Sequence, residues 1–178
     1  IHDAFEKIEN SSKPVIAAIN GSALGGGLET ALCCNYRVSS KQGFIGLPEV
    51  NLGLLPGAGG TQRLPRLVGP TEALKIMLSG RHIPAVKALG MGVIDSLSEG
   101  NILDDAVAFA RKVAEKNDIH PQVRHLNAKV IAARGDENVI SEARALAAKS
   151  RKGQFAPGKI IQCVEAAINL DDFDEGMK

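Results

Sequence analysis

Lys13-Pro14-Val15-Ile16-Ala17-Ala18-Ile19-Asn20-Gly21, followed after Ser22 by Ala23-Leu24-Gly25-Gly26-Gly27-Leu28-Glu29, carries in one run a buried strand, a glycine turn and the start of a helix. Val15 to Ile19 is short, apolar and bounded by Pro14 and the turn dipeptide Asn20-Gly21, as a strand buried on both faces would be. The glycines then feed an apolar helical stretch, Leu28 to Cys34. Without Cβ atoms, Gly25, Gly26 and Gly27 let backbone N–H groups approach a ligand oxygen, and a helix N-terminus adds positive potential there. A close strand-to-helix packing turn explains the same residues equally well. The loop Gly57-Ala58-Gly59-Gly60 poses the same alternative, and neither loop has the Gly-Lys-Ser/Thr of a mononucleotide site or the complete dinucleotide fingerprint.

Outward from that run, Tyr36-Arg37-Val38-Ser39, Phe44-Ile45-Gly46 and Val93-Ile94-Asp95-Ser96-Leu97 are strand candidates, and Thr61 is a candidate N-cap for the helix that the loop Leu54 to Gly60 introduces. Helices are expected over Thr71 to Leu78, Ala85 to Leu89 and Leu103 to Lys116, the last with Ala106, Val107, Ala110 and Val113 on one face. Asn138 to Lys149 and Pro157 to Leu170 are also helical in pattern, with a break at Gly153 to Gly158. The organisation is an α/β part over residues 1–97 and a helical remainder over 98–178, without internal repeats.

Composition excludes several classes. The 178 residues are 44% hydrophobic and 23% charged, as in a globular protein, and the net charge of +1 provides no general field for a polyanion. Nucleic acid is therefore not an expected partner. No apolar run approaches the ~20 residues of a membrane helix. Three cysteines, two of them adjacent (Cys33, Cys34, Cys163), indicate a reducing compartment: cytoplasm, or peroxisome or mitochondrion in a eukaryote. The chain opens without Met inside an amphipathic pattern (Ile1, Ala4, Phe5, Ile8) and stops at Phe173 and Met177, spaced as a helix face, so a fragment of a longer protein is expected.

Two carboxylates stand out. Glu29 lies in the first turn of an apolar helix and Glu49 follows Pro48 in an apolar stretch, so both are expected to be partly desolvated. Desolvation raises a carboxyl pKa and proximity separates two such values, which lets one group donate a proton while the other accepts. By composition and spacing alone, Glu29 reads more readily as a helix-dipole residue and Glu49 as a surface-turn residue.

Together with Gly46-Leu47-Pro48-Glu49 and Pro56-Gly57-Ala58-Gly59-Gly60-Thr61-Gln62-Arg63-Leu64-Pro65-Arg66, the opening run resembles the two signature blocks of the crotonase superfamily, the enoyl-CoA hydratases and isomerases. The resemblance covers most of Lys13 to Leu97. It implies a crotonase-type ββα spiral whose N-terminal part is missing here, followed by a helical C-terminal region used for oligomerisation. By the same resemblance Glu29 and Glu49 are the catalytic carboxylates, which hold a water, deliver it to Cβ and supply a proton to Cα. Gly26 offers half of the oxyanion hole, Gly57 helps position the water, and Ala23, Leu24, Gly25 and Pro56 belong to the substrate-binding wall. The other oxyanion donor is expected upstream of Ile1. The implied ligand is an acyl-CoA thioester, with CoA part of the substrate and no separate cofactor or metal. The implied assembly is a homo-oligomer, trimer or hexamer. The segment Gly153 to Gly158 and the tail Phe173 to Lys178 resemble the hydratase part of multifunctional fatty-acid oxidation enzymes, in which a covalently linked dehydrogenase part follows.

His2, His82, His120 and His125 lack metal spacing and are assigned to structure or surface, Cys33 and Cys34 to apolar filling. Arg63 and Arg66 are open between a CoA phosphate and a solvated helix face. Lys149-Ser150-Arg151-Lys152 is too short for an RNA-binding helix and fits a helix C-terminus. The rival functions are a Δ3,Δ2-enoyl-CoA isomerase, an RNA-binding homologue and a non-catalytic interaction module.

Overall fold

A computed structural model of the chain describes residues 2–116 and 119–178; Ile1, counted in the opening amphipathic pattern, lies outside them. The first helix, α1, spans His2–Glu9, and Pro14 then releases the chain into β1, Ile16–Ile19. The expected strand–turn–helix order acquires one more element. After Asn20-Gly21 the chain forms a second short strand, β2 (Ser22–Leu24), before α2 (Gly26–Cys33). Then come β3 (Tyr36–Ser40), β4 (Phe44–Gly46), a 3-10 turn over Glu49–Leu52, α3 (Gly60–Val68), α4 (Pro70–Ser79), β5 (Ile83–Pro84), α5 (Ala85–Gly90) and β6 (Ser96–Ser98).

The strands form two small sheets. β1, β3 and β6 pair in parallel in the order β1-β3-β6, with Ile16 opposite Tyr36 and Val38 opposite Ser96. β2 pairs in parallel with β4, and β4 antiparallel with β5, with Ile45 opposite Ile83. The sheets meet where Phe44 N–H donates to Gly21 O at 2.9 Å. A Cβ on neighbouring Gly43 would lie 2.5 Å from Gly21 O and 2.7 Å from Ser39 Oγ, so this junction admits only glycine. The strand expected over Val93 to Leu97 is displaced. Val93 and Ile94 are buried, but their N–H groups donate to Ala88 O at the end of α5, and pairing starts at Ser96.

The remaining helices are α6 (Ile102–Ala114), α7 (Ala128–Ile131), α8 (Glu137–Ser150), α9 (Ala156–Asn169) and α10 (Phe173–Gly176), with a 3-10 turn at Val123–His125. Asn101 caps α6 by accepting from Leu103 N–H and Asp104 N–H. α6 covers β1, β3 and β6, whereas α3 packs against α2, α4, α7 and α9 and thereby joins the glycine-rich part to the helices beyond it. One buried apolar cluster accordingly holds Ile19, Leu28 and Leu47 together with Val139, Ile160 and Val164. Arg151 ends α8 through its backbone N–H, which donates to Ala147 O, while its side chain closes the end of α4, donating to Leu78 O, Ser79 O and Asn51 Oδ1. Among the described residues no helix is long and apolar enough to cross a membrane.

A buried guanidinium ties the parallel sheet to the α5–β6 turn. Arg37 Nε donates to Val93 O at 2.6 Å, Nη1 to Cys34 O at 2.9 Å and Nη2 to Asp95 Oδ2 at 3.0 Å. Arg37→Met leaves those acceptors without their charged donor, and urea denaturation should show a loss of roughly 2–4 kcal/mol.

Candidate functional site

The Glu29 carboxylate, on the first turn of α2 and almost wholly buried, does not stay with its own helix. Its Oε1 accepts from Ala58 N–H at 2.8 Å and from Gly60 N–H at 2.8 Å, where α3 begins. This resolves the alternative left open for Gly57 to Gly60: the turn is an anion site, and the anion is the chain's own carboxylate. Two features of the turn require glycine. Gly59 has φ of 96°, in the left-handed region, and a Cβ on Gly60 would lie 3.0 Å from Glu29 Oε1, Leu47 Cδ1 and Pro56 Cβ alike. The expected cap at Thr61 is corrected by the same geometry, because α3 starts earlier, with Gly59 in the cap position and Thr61 inside the helix.

Glu49 begins the 3-10 turn after Pro48 and is half-buried. Its Oε1 lies 3.2 Å from where a Cβ of Gly25 would stand, and its buried Oε2 has no hydrogen-bond partner among the described residues. Burial raises the Glu49 carboxyl above its ordinary 4.5; its own backbone N–H opposes this, and the charge of Glu29 adds to the rise. The two carboxylates therefore sense each other across a site with unequal support, Glu29 fixed by two N–H groups and Glu49 left with an open acceptor.

The other expected residues lie around this pair. Gly26 is exposed at the first position of α2, where a helix N–H has no intrahelical carbonyl to meet. Gly25, with φ of 55°, donates its N–H to Gly46 O at 2.9 Å, which sets the α2 entrance against β4. Gly57 is exposed beside Ala58. Pro56 is buried with its Cβ towards Gly60, Ala23 is buried in β2, and Leu24 is half-buried at the strand's end.

Arg63 and Arg66 fit neither of the roles held open for them, since both are buried. Arg63 Nε and Nη2 donate to Glu9 Oε1 and Oε2 at 2.8 and 2.9 Å, and Nη1 donates to Ala58 O at 3.3 Å. Arg66 Nη1 donates to Gln62 O at 2.7 Å and Nε to Asn127 Oδ1 at 3.0 Å. Burial, with the charges of Arg63 and Arg124 beside it, lowers Arg66 to about 10. Sequence reasoning missed Glu9, Ala58 and Gly60 as partners of the site. The signal for Ala58 and Gly60 was the glycine loop before α3; Glu9 gave none, because its partner is remote in sequence. Cys33 and Cys34 are buried, and burial pushes the Cys33 thiol up to about 12, consistent with apolar filling. Tyr36 OH and His120 Nδ1 lie 3.4 Å apart, and among the described residues no group of His, Cys, Asp and Glu is placed to hold a metal ion.

Residues 1–156 match the family model for enoyl-CoA hydratase/isomerase. The chain belongs to that family. It is 44% identical over 174 residues to the fatty acid oxidation complex subunit alpha of Shewanella frigidimarina, covering 94% of this chain and 24% of the relative. It is 41% identical over 174 residues to the peroxisomal bifunctional enzyme of Danio rerio, covering 98% and 24%. The chain thus spans about a quarter of the length of these relatives. Among solved structures, the enoyl-CoA hydratase of Bacillus anthracis superposes with a TM-score of 0.58 at 33% identity, covering 99% of this chain and 62% of that one. The mixed α/β architecture is that of the crotonase fold, as the sequence motifs implied.

Two measurements follow from the geometry around Glu29 and Glu49. Gly60→Ala forces Glu29, Leu47 or Pro56 aside and should cost about 1–3 kcal/mol in chemical denaturation, although alanine is the better helix former. Glu49→Gln should do the opposite. A carboxyl raised on folding contributes stability while protonated and loses that contribution as pH rises through its folded-state value. The glutamine variant should therefore melt higher than the parent at pH 7, with the difference vanishing below the ordinary carboxyl value of 4.5.

Proposed function

We propose that this chain is the hydratase part of a multifunctional fatty-acid oxidation enzyme and adds water across the 2,3-double bond of a 2-enoyl-CoA. The observation that carries the reading is the unequal carboxylate pair: Glu29 held by Ala58 N–H and Gly60 N–H, and Glu49 with a raised carboxyl and an unpartnered Oε2. Since Glu29 Oε1 is committed to accepting two hydrogen bonds, Oε2 is the oxygen that receives the proton of the attacking water. The hydroxyl goes to Cβ, and Glu49 in its protonated form donates to Cα, so that one water is consumed, and return of the proton from Glu29 to Glu49 restores the pair. The thioester oxygen gathers negative charge during addition, and Gly26 N–H, free at the helix entrance, is the donor this chain supplies to it. Groups that meet charge only in the transition state lower the barrier rather than merely tighten binding.

The reading requires no cofactor beyond the CoA of the substrate. It includes a trimer or hexamer, a linked dehydrogenase part, and an intracellular reducing compartment. The peroxisomal and bacterial relatives, and the free thiols of Cys33, Cys34 and Cys163, support that compartment.

The test uses a chain extended upstream by the segment expected to carry the second oxyanion donor. Glu29→Gln and Glu49→Gln should each slow hydration of a short 2-enoyl-CoA by about a hundredfold or more, with substrate affinity retained. The double variant should be far less than multiplicatively worse, because both groups handle one water. Near-parental rates in both single variants would remove the assignment. Survival of 3-enoyl-CoA isomerisation in Glu29→Gln alone would favour the one-carboxylate isomerase.

A further inference from the structure

The turn that holds Glu29 is itself held from beneath. Arg63 is 3% exposed, and its guanidinium reaches in two directions at once: Nε and Nη2 form a two-pronged pair with Glu9 on α1, and Nη1 donates to Ala58 O. Ala58 is the residue whose N–H meets Glu29 Oε1. The same guanidinium occupies the space that a Cβ on Gly59 would need, so the turn is moulded on it. On its other side Arg63 lies over the Phe173 ring, 4.9 Å from the centroid, and Met177 Sδ lies 3.2 Å from the Gly59 Cβ position. Phe173 of α10 thus covers one face of the buried guanidinium, where low exposure strengthens the ion pair's electrostatics.

We propose that Arg63 is a positioning residue for the Glu29 carboxylate: braced by Glu9 and covered by Phe173, it fixes the Ala58 peptide so that the Ala58 and Gly60 N–H groups converge on Oε1. Only a planar fork of five donors spans both Glu9 oxygens and the Ala58 carbonyl together; a lysine ammonium keeps the charge but cannot reproduce that span. The catalytic consequence rests on the hydratase reading, whereas the structural claim does not.

Amide hydrogen exchange of the full chain tests it, with Gly69 N–H, which donates to Pro65 O at the far end of α3, as the internal reference. In Arg63→Lys, exchange at Ala58 and Gly60 should accelerate about tenfold more than at Gly69, because two charge-assisted bonds lose their alignment. Glu9→Gln combined with Arg63→Met removes both charges, leaves neither buried alone, and should show the same selective loss; it decides the matter if the lysine variant does not fold. A purely structural ion pair would accelerate all three amides by one factor. That result, or unchanged exchange at Ala58 and Gly60, would overturn the proposal. Hydration assayed on the upstream-extended form of each variant should show kcat reduced about tenfold at unchanged KM. A parent without hydration in that form would sink the hydratase reading and leave the exchange result decisive for Arg63.

Discussion

A carboxylate removed from water needs donors, and Glu29 meets two at the entrance of α3. Much of the site's architecture follows from this contact. It joins α2 to α3 across the interior, and α3 in turn supports α4, α7 and α9. It also bears on Gly60, where a Cβ would stand 3.0 Å from Glu29 Oε1 as well as from Leu47 and Pro56, tighter than ordinary contact.

Glu49 shows what the same residue type does under the opposite regime. It shares a site with Glu29 but has a buried oxygen that no described residue satisfies, and its carboxyl is raised mainly by burial. Two glutamates separated in this way by their surroundings can take different parts in one proton transfer, whereas two equivalent ones would compete for the same state.

Much of this was legible in the chain and some was not, for reasons that differ by residue. β1 and β4 stood out because short apolar runs bounded by Pro14, Asn20-Gly21 and Gly46 leave few alternatives, and β3 was expected over Tyr36 to Ser39. β2 did not, because three residues, Ser22 to Leu24, are too few to show alternation. Val93 and Ile94 have strand composition, but their N–H groups turn back to Ala88 O. The burial of Glu29 and Glu49 was legible from their apolar surroundings, whereas the two N–H donors of Glu29 and the unpartnered Oε2 of Glu49 depend on neighbours that local spacing does not reveal. Arg63 and Arg66 show the limit most clearly. A basic pair on a short helix reads as surface, and only the remote partners Glu9, Asn127 and Phe173 make it interior.

Arg124 salt-bridges Glu9 of α1 at 3.6 Å and Asp174 of α10 at 2.6 Å, and with Arg63 and Arg66 it surrounds the Phe173 ring. The first and last helices are thereby fastened to one knot, although most of the chain separates them. Fraying is then not an independent event at each end: loosening α10 withdraws the ring and weakens the grip on α1, and loosening α1 strips the arginines of their main counter-charge. By thermodynamic reciprocity, a partner that pulled on α10 would be felt at α1 with the same free energy as one acting in reverse. Through Arg63, it would also be felt at the glycine turn between them.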